Sequence, residues 1–340
     1  MSYNMRDILD TLGNRKDLGA EEAAFAFREL FEGSLSPAQA GALLMGLRAK
    51  GETPLELAAA ARAGLARARM VTGLPTDAPI VDIVGTGGDR TSSFNCSTAV
   101  SLYLAALGHR VVKHGNRAVS SSSGSADALE GLGLPLDTKP DQVAAELAKT
   151  GFVFLFAPGY HPAFAHIAPV RRELGVRTLF NLMGPLLNPA RPSHQLLGVG
   201  HERALPLMAE TLALTAPELT AFVIHGSGGA AGGFDELTPF GPATGFLVDR
   251  GNVSPFRLDP REYGIPDHDP DAVRVADKPA ALAAIRDVLS GKANAAMQDM
   301  TALNLAAALH LVTGRTLAEC TREAREAVAD GAARRFVNAG

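Results

Sequence analysis

The chain has 340 residues, of which 46% are hydrophobic and 20% are charged, and its 32 basic and 36 acidic side chains give a formal net charge of −4. This composition is typical of a globular protein with one large domain or two, and the lack of a basic excess argues against nucleic-acid binding. The polar N-terminus predicts no signal peptide, no segment reaches the ~18 apolar residues of a membrane span, and Cys96 and Cys320 predict reduced thiols in a cytoplasmic protein.

Residues 1–72 predict a small all-helical domain. Apolar residues recur at helical spacing from Met5 to Leu12 and over about 20–33. A third helix is expected from Ser36-Pro37 to near Gly51, and a fourth from the capping box at Thr53 to about Met70. Four short helices cannot bury all their apolar faces alone. The apolar surface that they leave exposed predicts contact with the rest of the chain, including part of 165–190, or with a second copy.

Residues 73–340 predict a larger α/β domain with a mostly parallel central sheet. Apolar runs that alternate with helical patterns are typical of such a sheet. The expected strands are Ile80–Val84, Arg110–Lys113, Phe152–Ala157, Thr220–His225 and Gly245–Val248. The tail beyond 260 predicts packing helices, at 275–289, 293–311 and 317–333. Ligands of parallel sheets bind beyond the C-terminal ends of the strands.

The first strand runs into the glycine-rich turn Gly85–Asp89. Glycines let the backbone approach a ligand, and the helix that follows offers an anion its unpaired N–H groups. Ser92, Ser93 and other hydroxyl or amide residues add hydrogen-bond donors. The pattern favours a phosphate cradle over an ordinary capped turn. It is neither a P-loop nor a dinucleotide-binding fingerprint.

The second strand also ends in polar residues. Lys113, His114 and Arg117 are followed by a serine run that leads into a helix. This set suits a polyphosphate, and the alternative is a solvated basic turn with a flexible linker. Two such loops about thirty residues apart, each following a strand, favour the phosphate site.

Five motifs together resemble the anthranilate phosphoribosyltransferases, within the nucleoside phosphorylase/phosphoribosyltransferase superfamily. They are GTGGD at 85–89, FNCST at 94–98, KHGNRAVSSSSGSAD at 113–127, HPAFAHIAPVRRELGVRTLFNLMGPLLNPARP at 161–192 and DELT at 235–238. The resemblance implies transfer of the phosphoribosyl group of phosphoribosyl pyrophosphate to the amine of anthranilate, with release of pyrophosphate, in tryptophan biosynthesis. It also implies a homodimer that associates through the helical domain, with no nucleic acid and no membrane as partner.

The resemblance also implies a set of substrate-binding residues. They are Gly85, Gly88, Asp89, Ser93, Asn95, Cys96, Ser97, Thr98, Lys113, His114, Gly115, Asn116, Arg117, Ala118, Val119, Ser120, Ser121 and Ser125. Arg171 is expected to hold the anthranilate carboxylate, whereas the residues alone favour a side chain that lies over an apolar helical stripe. No covalent nucleophile or strong general base is expected, because an aryl amine is already nucleophilic. His114 is a candidate proton relay.

A third loop, 226–242, is rich in glycine and contains Asp235 and Glu236. Adjacent carboxylates often form only a solvated acidic turn. The resemblance implies instead that Asp235 and Glu236 bind Mg²⁺, and that Ser97 contacts a second ion, both ions arriving with phosphoribosyl pyrophosphate. The alternatives for the whole chain are a pyrimidine nucleoside phosphorylase, or a catalytically silent relative that binds nucleic acid or nucleotide.

Overall fold

The computed structural model describes residues 3–89, 91–117, 124–228 and 233–337. Its N-terminal part is helical, as predicted. The helices are α1 (Met5–Gly13), α2 (Ala20–Glu32), α3 (Pro37–Lys50) and α4 (Pro54–Leu65). Helix α4 ends at Leu65, before the predicted Met70. The chain leaves the helix there because the N–H of Arg69 donates to the carbonyl of Tyr160, 2.8 Å away, in the α/β part.

The helix starts follow their capping residues. Ser36 Oγ accepts from the N–H of Gln39 at α3, and Thr53 Oγ1 accepts from that of Glu56 at α4. The Glu56 carboxylate is buried and lies 2.9 Å from the ammonium of Lys50. It also accepts from the N–H of Leu18, and this polar group therefore joins the start of α4 to the end of α3 and to the loop before α2.

The strands form one seven-stranded sheet in the order β3-β2-β1-β4-β5-β6-β7. They are β1 (Ile80–Gly85), β2 (Arg110–Gly115), β3 (Phe152–Phe156), β4 (His194–Gly198), β5 (Thr220–His225), β6 (Ala243–Asp249) and β7 (Asn252–Leu258). Strands β1 to β5 are parallel, and β6 and β7 are antiparallel. The mostly parallel α/β sheet is therefore confirmed. Strands β4 and β7 were not predicted, although β4 lies at the centre of the sheet.

The remaining helices alternate with the strands and then form the C-terminal tail. They are α5 (Cys96–Ala106), α6 (Ser125–Gly131), α7 (Val143–Thr150), α8 (Ala157–Tyr160), α9 (Ala168–Leu174), α10 (Phe180–Met183), α11 (Leu205–Thr215), α12 (Lys278–Leu289), α13 (Ala295–Thr313) and α14 (Leu317–Ala329). Among the described residues, no helix has both the length and the apolarity needed to cross a bilayer.

Two large cores cover opposite parts of the sheet. One core joins α5 and the tail helices α12 to α14 to side chains such as Val81 and Phe222. The other joins α1 to α4, α11 and the segment 167–187 to side chains such as Val223. The helical part thus shares its core with the sheet, and the C-terminal ends of β1, β2, β4 and β5 are left at one edge beside it.

Candidate active site

The acidic pair lies directly on the glycine turn. Asp235 Oδ2 accepts a hydrogen bond of 2.8 Å from the N–H of Gly87, and Glu236 Oε1 accepts one of 3.0 Å from the N–H of Ser97 at the start of α5. The structure therefore brings together the three residues predicted to hold Mg²⁺, Ser97, Asp235 and Glu236, although Ser97 lies more than 130 positions before the pair in the chain.

Glycines at three strand ends make room for this pair. A Cβ at Gly85 would lie 2.2 Å from Asp235 Oδ2, and one at Gly198 would lie 1.5 Å from the carbonyl oxygen of Asp235. A Cβ at Gly226 would lie 2.1 Å from the carbonyl oxygen of Glu236. Gly198 and Gly226 were not predicted as site residues. Their only signal in the sequence is a glycine at the end of an apolar run.

The two carboxylates lie in a buried site where burial and neighbouring negative charges outweigh the positive charge of Lys113. Burial, followed by the charge of Asp89, raises the pKa of Asp235 to about 7. Burial, followed by the charges of Asp235 and Asp89, raises the pKa of Glu236 well above its ordinary value. Charged carboxylates in this position require a cation.

The donor set fits Mg²⁺, which prefers oxygen ligands and retains several waters. Glu236 Oε2 is buried and makes no hydrogen bond to the described part of the chain. The described residues contain no group of three or more His, Cys, Asp or Glu side chains arranged to hold a metal. The protein thus offers part of a coordination shell, and the oxygens of an anionic substrate would complete it.

Lys113 lies beneath the acidic pair. Its side chain is buried, and its ammonium donates to the carbonyl of Ile83 and to Ser97 Oγ, the latter at 3.2 Å. Burial lowers the pKa of Lys113, while the negative charges of Asp82, Glu236 and Asp235 act to raise it. The ammonium therefore faces Ser97 within the protein, and the binding of substrate by Lys113 stays a prediction.

Asp82 on β1 is a neighbouring residue that the sequence did not reveal. It is fully buried, its Oδ2 accepts a hydrogen bond of 2.9 Å from Asn188, and burial raises its pKa to about 6.

The start of α5 orients its side chains in two directions. Ser93 and Ser97 are half-buried, whereas Cys96 is fully buried with its Sγ 3.9 Å from the carbonyl of Met300 on α13. The buried sulfur leaves the backbone of Cys96 as the part that could contact a substrate, and its predicted role in substrate binding stays a prediction. Thr98 is also buried, and Asn95 occupies the N-cap position of α5.

The loop after β2 is described only in part. A Cβ at Gly115 would lie 2.4 Å from Ser125 Oγ, so glycine is needed where this loop passes α6. Asn116 and Arg117 are exposed, and Arg117 pairs with Glu130 at 2.7 Å. The predicted residues Ala118, Val119, Ser120 and Ser121 lie outside the described residues.

A row of rings leads from the C-terminal end of β2 towards the helical part. The His114 and His161 ring centroids are 5.1 Å apart, those of His161 and Phe164 are 5.4 Å apart, and those of Phe164 and Phe180 are 5.6 Å apart. The Arg171 guanidinium lies 5.0 Å from the centroid of the Phe180 ring. Arg171 thus lies at one end of a row of packed aromatic rings.

Both histidines of this row are neutral at neutral pH. Burial is the main cause that lowers the pKa of His114 to about 3 and that of His161 to about 4. His161 Nε2 lies 2.9 Å from the carbonyl of Leu187, to which it donates, and its Nδ1 is left as an acceptor. His114 Nε2 and His161 Nδ1 are buried and make no hydrogen bond to the described residues.

Arg177 is a further residue of the site that the sequence analysis missed. Its Nη2 donates to the carbonyl of Gly87 at 3.3 Å, and a Cβ at Gly88 would lie 1.8 Å from its Nη1. The carbonyl of Arg177 accepts from Arg48 on α3, so this arginine connects the glycine turn to the helical part.

Two family models match the chain. The model described as "Glycosyl transferase family, a/b domain" matches residues 77–334, and the one described as "Glycosyl transferase family, helical bundle domain" matches residues 6–68. The chain is 54% identical to an anthranilate phosphoribosyltransferase from Nitratidesulfovibrio vulgaris strain Miyazaki F, over 98% of each chain.

Two solved structures resemble the fold. The anthranilate phosphoribosyltransferase of Thermus thermophilus has a TM-score of 0.86 at 38% identity, over 97% of each chain. The enzyme of Saccharomyces cerevisiae, in complex with PRPP and Mg, has a TM-score of 0.86 at 27% identity, over 98% of this chain and 95% of that chain. These relatives favour neither a pyrimidine nucleoside phosphorylase nor a silent nucleotide-binding protein.

Proposed function

The chain belongs to the anthranilate phosphoribosyltransferase family, and we propose that its strand-end loops transfer the phosphoribosyl group of phosphoribosyl pyrophosphate to the amine of anthranilate, releasing pyrophosphate, in tryptophan biosynthesis. The observation that supports this most directly is the buried acidic pair, Asp235 and Glu236, laid across the glycine turn and the start of α5. The same edge of the sheet adjoins the row of aromatic rings that ends at Arg171.

The donor side is proposed to hold the pyrophosphate. The turn from Gly85 to Asp89 and the start of α5 would bind it through the backbone N–H groups that are not already bonded to Gly198, Asp235 or Glu236, because unpaired N–H groups bind anions well. Mg²⁺, when bound by Asp235, Glu236 and Ser97, would neutralise the departing pyrophosphate, and we propose two ions. Lys113 places a further positive charge behind Ser97, 3.2 Å from its hydroxyl.

The acceptor side is proposed to orient anthranilate. Arg171 would hold its carboxylate through the guanidinium fork, and the rings of His161 and Phe164 would flank its aromatic ring. An amine carries N–H donors, and the acceptor nitrogens of His114 and His161 are suited to receive them. We propose that His114 Nε2 accepts a hydrogen bond from the amine and takes its proton as the new C–N bond forms.

No residue needs to act as a strong general base in this reaction. The bond from ribose C1 to the pyrophosphate oxygen breaks with oxocarbenium character, so positioning and charge stabilisation dominate the rate. We also propose that the protein is a cytoplasmic homodimer that associates through residues 1–72, the helical domain, while residues 73–340 form the donor-binding domain.

The test follows the loss of anthranilate fluorescence after addition of phosphoribosyl pyrophosphate, with Mg²⁺ and with a chelator. The expected result is a loss that requires Mg²⁺, and that falls sharply in Asp235→Asn. An Asp267→Asn variant, which changes an exposed acid outside the proposed site, serves as the control. Absence of any loss in the wild type, or an undiminished rate in the chelator, would contradict the proposal.

A further inference from the structure

A buried asparagine of the tail helix α13 forms hydrogen bonds to the loop that contains Asp235 and Glu236. Asn304 is 3% exposed. Its Oδ1 accepts a hydrogen bond of 3.0 Å from the N–H of Leu237, and its Nδ2 donates one of 2.7 Å to the carbonyl of the same residue. One side-chain amide thus pairs with both backbone polar groups of Leu237, the residue that follows Glu236.

The same amide also touches the other half of the proposed metal site. Its Nδ2 lies 3.7 Å from the sulfur of Cys96, and it donates at 2.8 Å to the carbonyl of Met300, one turn earlier on α13. Cys96 immediately precedes Ser97, whose N–H donates to Glu236. Asn304 therefore lies where the loop containing Asp235 and Glu236 meets the start of α5.

The loop needs such a restraint on its C-terminal side. Before the acidic pair, Phe234 is held by two backbone hydrogen bonds of 2.8 and 3.0 Å to Gly226. After the pair, Asn304 bonds both backbone polar groups of Leu237, and next to it the hydroxyl of Thr238 donates to the carbonyl of Ser227 at 2.7 Å. Two buried carboxylates repel each other, so an unrestrained loop would move them apart and towards solvent.

We propose that Asn304 is a positioning residue that holds Asp235 and Glu236 in place for the magnesium–phosphoribosyl pyrophosphate complex. This inference rests on the proposed function. It assigns to the C-terminal tail a role beyond the packing that the sequence predicted. Asn304 itself acts through Leu237 and the start of α5, and the carboxylates meet the ligand.

The experiment measures binding of phosphoribosyl pyrophosphate to the full chain by calorimetry, with Mg²⁺ and with a chelator, for the wild type, Asn304→Ala and Asn304→Asp. The aspartate variant has the same size but cannot donate to the carbonyl of Leu237. Thr321→Val is the control, because Thr321 is equally buried and its hydroxyl bonds only within its own helix, to Leu317 at 2.7 Å. Thermal melts establish that each protein is folded.

We expect both Asn304 variants to weaken binding in Mg²⁺ by about tenfold or more, the usual effect of losing a residue that orients metal ligands. Binding in the chelator and the KM for anthranilate should match the wild type, and Thr321→Val should bind normally. Wild-type binding in a folded Asn304 variant, or an equal loss with and without Mg²⁺, would overturn the inference. A wild type that gains nothing from Mg²⁺ would instead refute the proposed function.

Discussion

Asp235 illustrates how closely this site depends on single atoms. Its carboxylate occupies the space that a Cβ at Gly85 would fill, and its carbonyl occupies the space beside Gly198. The backbone of two neighbouring strands therefore determines where the carboxylate lies, because neither strand has a side chain at that point. A single methyl group at either position would displace the residue.

Gly85→Ala should abolish most of the activity without unfolding the protein. The new Cβ would lie 2.2 Å from Asp235 Oδ2, so the carboxylate must move, and a displacement of about 1 Å at a catalytic site can cost about 100-fold in rate. Steady-state turnover at saturating substrates measures the effect. Gly13→Ala is the control, because no atom lies within 4 Å of its new Cβ. Equal turnover in the two variants would contradict the prediction.

His161 should make the protein less stable in mild acid. Its pKa is lowered from 6.5 to about 4 in the folded state, so between these values the unfolded chain binds a proton that the folded chain does not. Stability therefore falls as the pH drops below about 6.5. From pH 6.5 to 5 this histidine should remove about 1.6 kcal/mol from the free energy of unfolding.

Urea unfolding of the wild type and of His161→Gln at several pH values measures this contribution. The variant lacks the titrating ring, so the difference between the two free energies should change by that amount over the same interval. Any constant offset between the proteins reflects lost packing and does not affect the test. Two parallel pH profiles would show that His161 does not titrate as its burial predicts.

Contacts within the site were less predictable than its composition. The glycine turn and the pair Asp235–Glu236 were apparent because each consists of adjacent residues in the sequence. Arg177 and Asn304 were not, because each acts on a backbone group far away in the chain, Gly87 and Leu237 respectively. Neither partner has a side chain that marks the contact. The direction of the Cys96 sulfur was equally unpredictable, since only the packing of α5 on α13 determines it.

At the scale of elements, the glycine turn is held from both sides. On one side the N–H of Thr86 donates to the carbonyl of Gly198 at 2.9 Å, and the N–H of Gly200 donates to Thr86 Oγ1 at 3.0 Å. On the other side the segment after α9 places Arg177 over Gly87 and Gly88. The stretch that follows Arg171 along the chain therefore also reaches the donor side.

Arg177→Ala should raise the KM for phosphoribosyl pyrophosphate by about tenfold, the effect of losing one charge-assisted hydrogen bond to the turn. Gly88→Ala should also raise this KM, because its Cβ would lie 1.8 Å from Arg177 Nη1. Part of the increase in KM caused by Gly88→Ala should disappear in the double variant, because the guanidinium is absent there. The exposed Arg172, on the same segment, is the control, and its alanine variant should behave as the wild type. Strict additivity of Arg177→Ala and Gly88→Ala would argue against the contact.

The sheet itself was largely predictable, apart from two strands. Five apolar runs gave the positions of β1, β2, β3, β5 and β6 within a few residues. Strand β4 was missed because its five residues, His194–Gly198, include only two aliphatic side chains and begin with two polar ones. Strand β7 was missed because it is an edge strand that is mostly exposed and contains Pro255. Both β4 and β7 form because they pair with neighbouring strands, and the local sequence pattern does not show this pairing.

For the whole molecule, the helical part and the α/β part follow one another along the chain but share one hydrophobic core. Helix α11 packs against α4 on one side and against β5 and β6 on the other, and Arg62 of α4 donates to the carbonyl of Leu214 on α11 at 2.5 Å. The helices of residues 5–65 and one face of the sheet therefore bury their side chains in a common core. Loosening that core should weaken both parts together.

Met208→Ala should therefore destabilise the helical part and the sheet by the same amount. Met208 is a fully buried residue of α11 in the shared core, and replacing a buried methionine by alanine typically costs about 2–5 kcal/mol. Hydrogen exchange in increasing denaturant should be measured on peptides from α1 to α4 and from β4 and β5. Both sets should show the same decrease in the free energy of unfolding. Leu214→Ala, at a side chain that is 46% exposed on the same helix, should change either set by less than about 0.5 kcal/mol. The prediction would be contradicted if the peptides of α1 to α4 unfolded first and only their free energy of unfolding changed. The helices would then be an independent unit, and their contact with the sheet would be an interface between two domains.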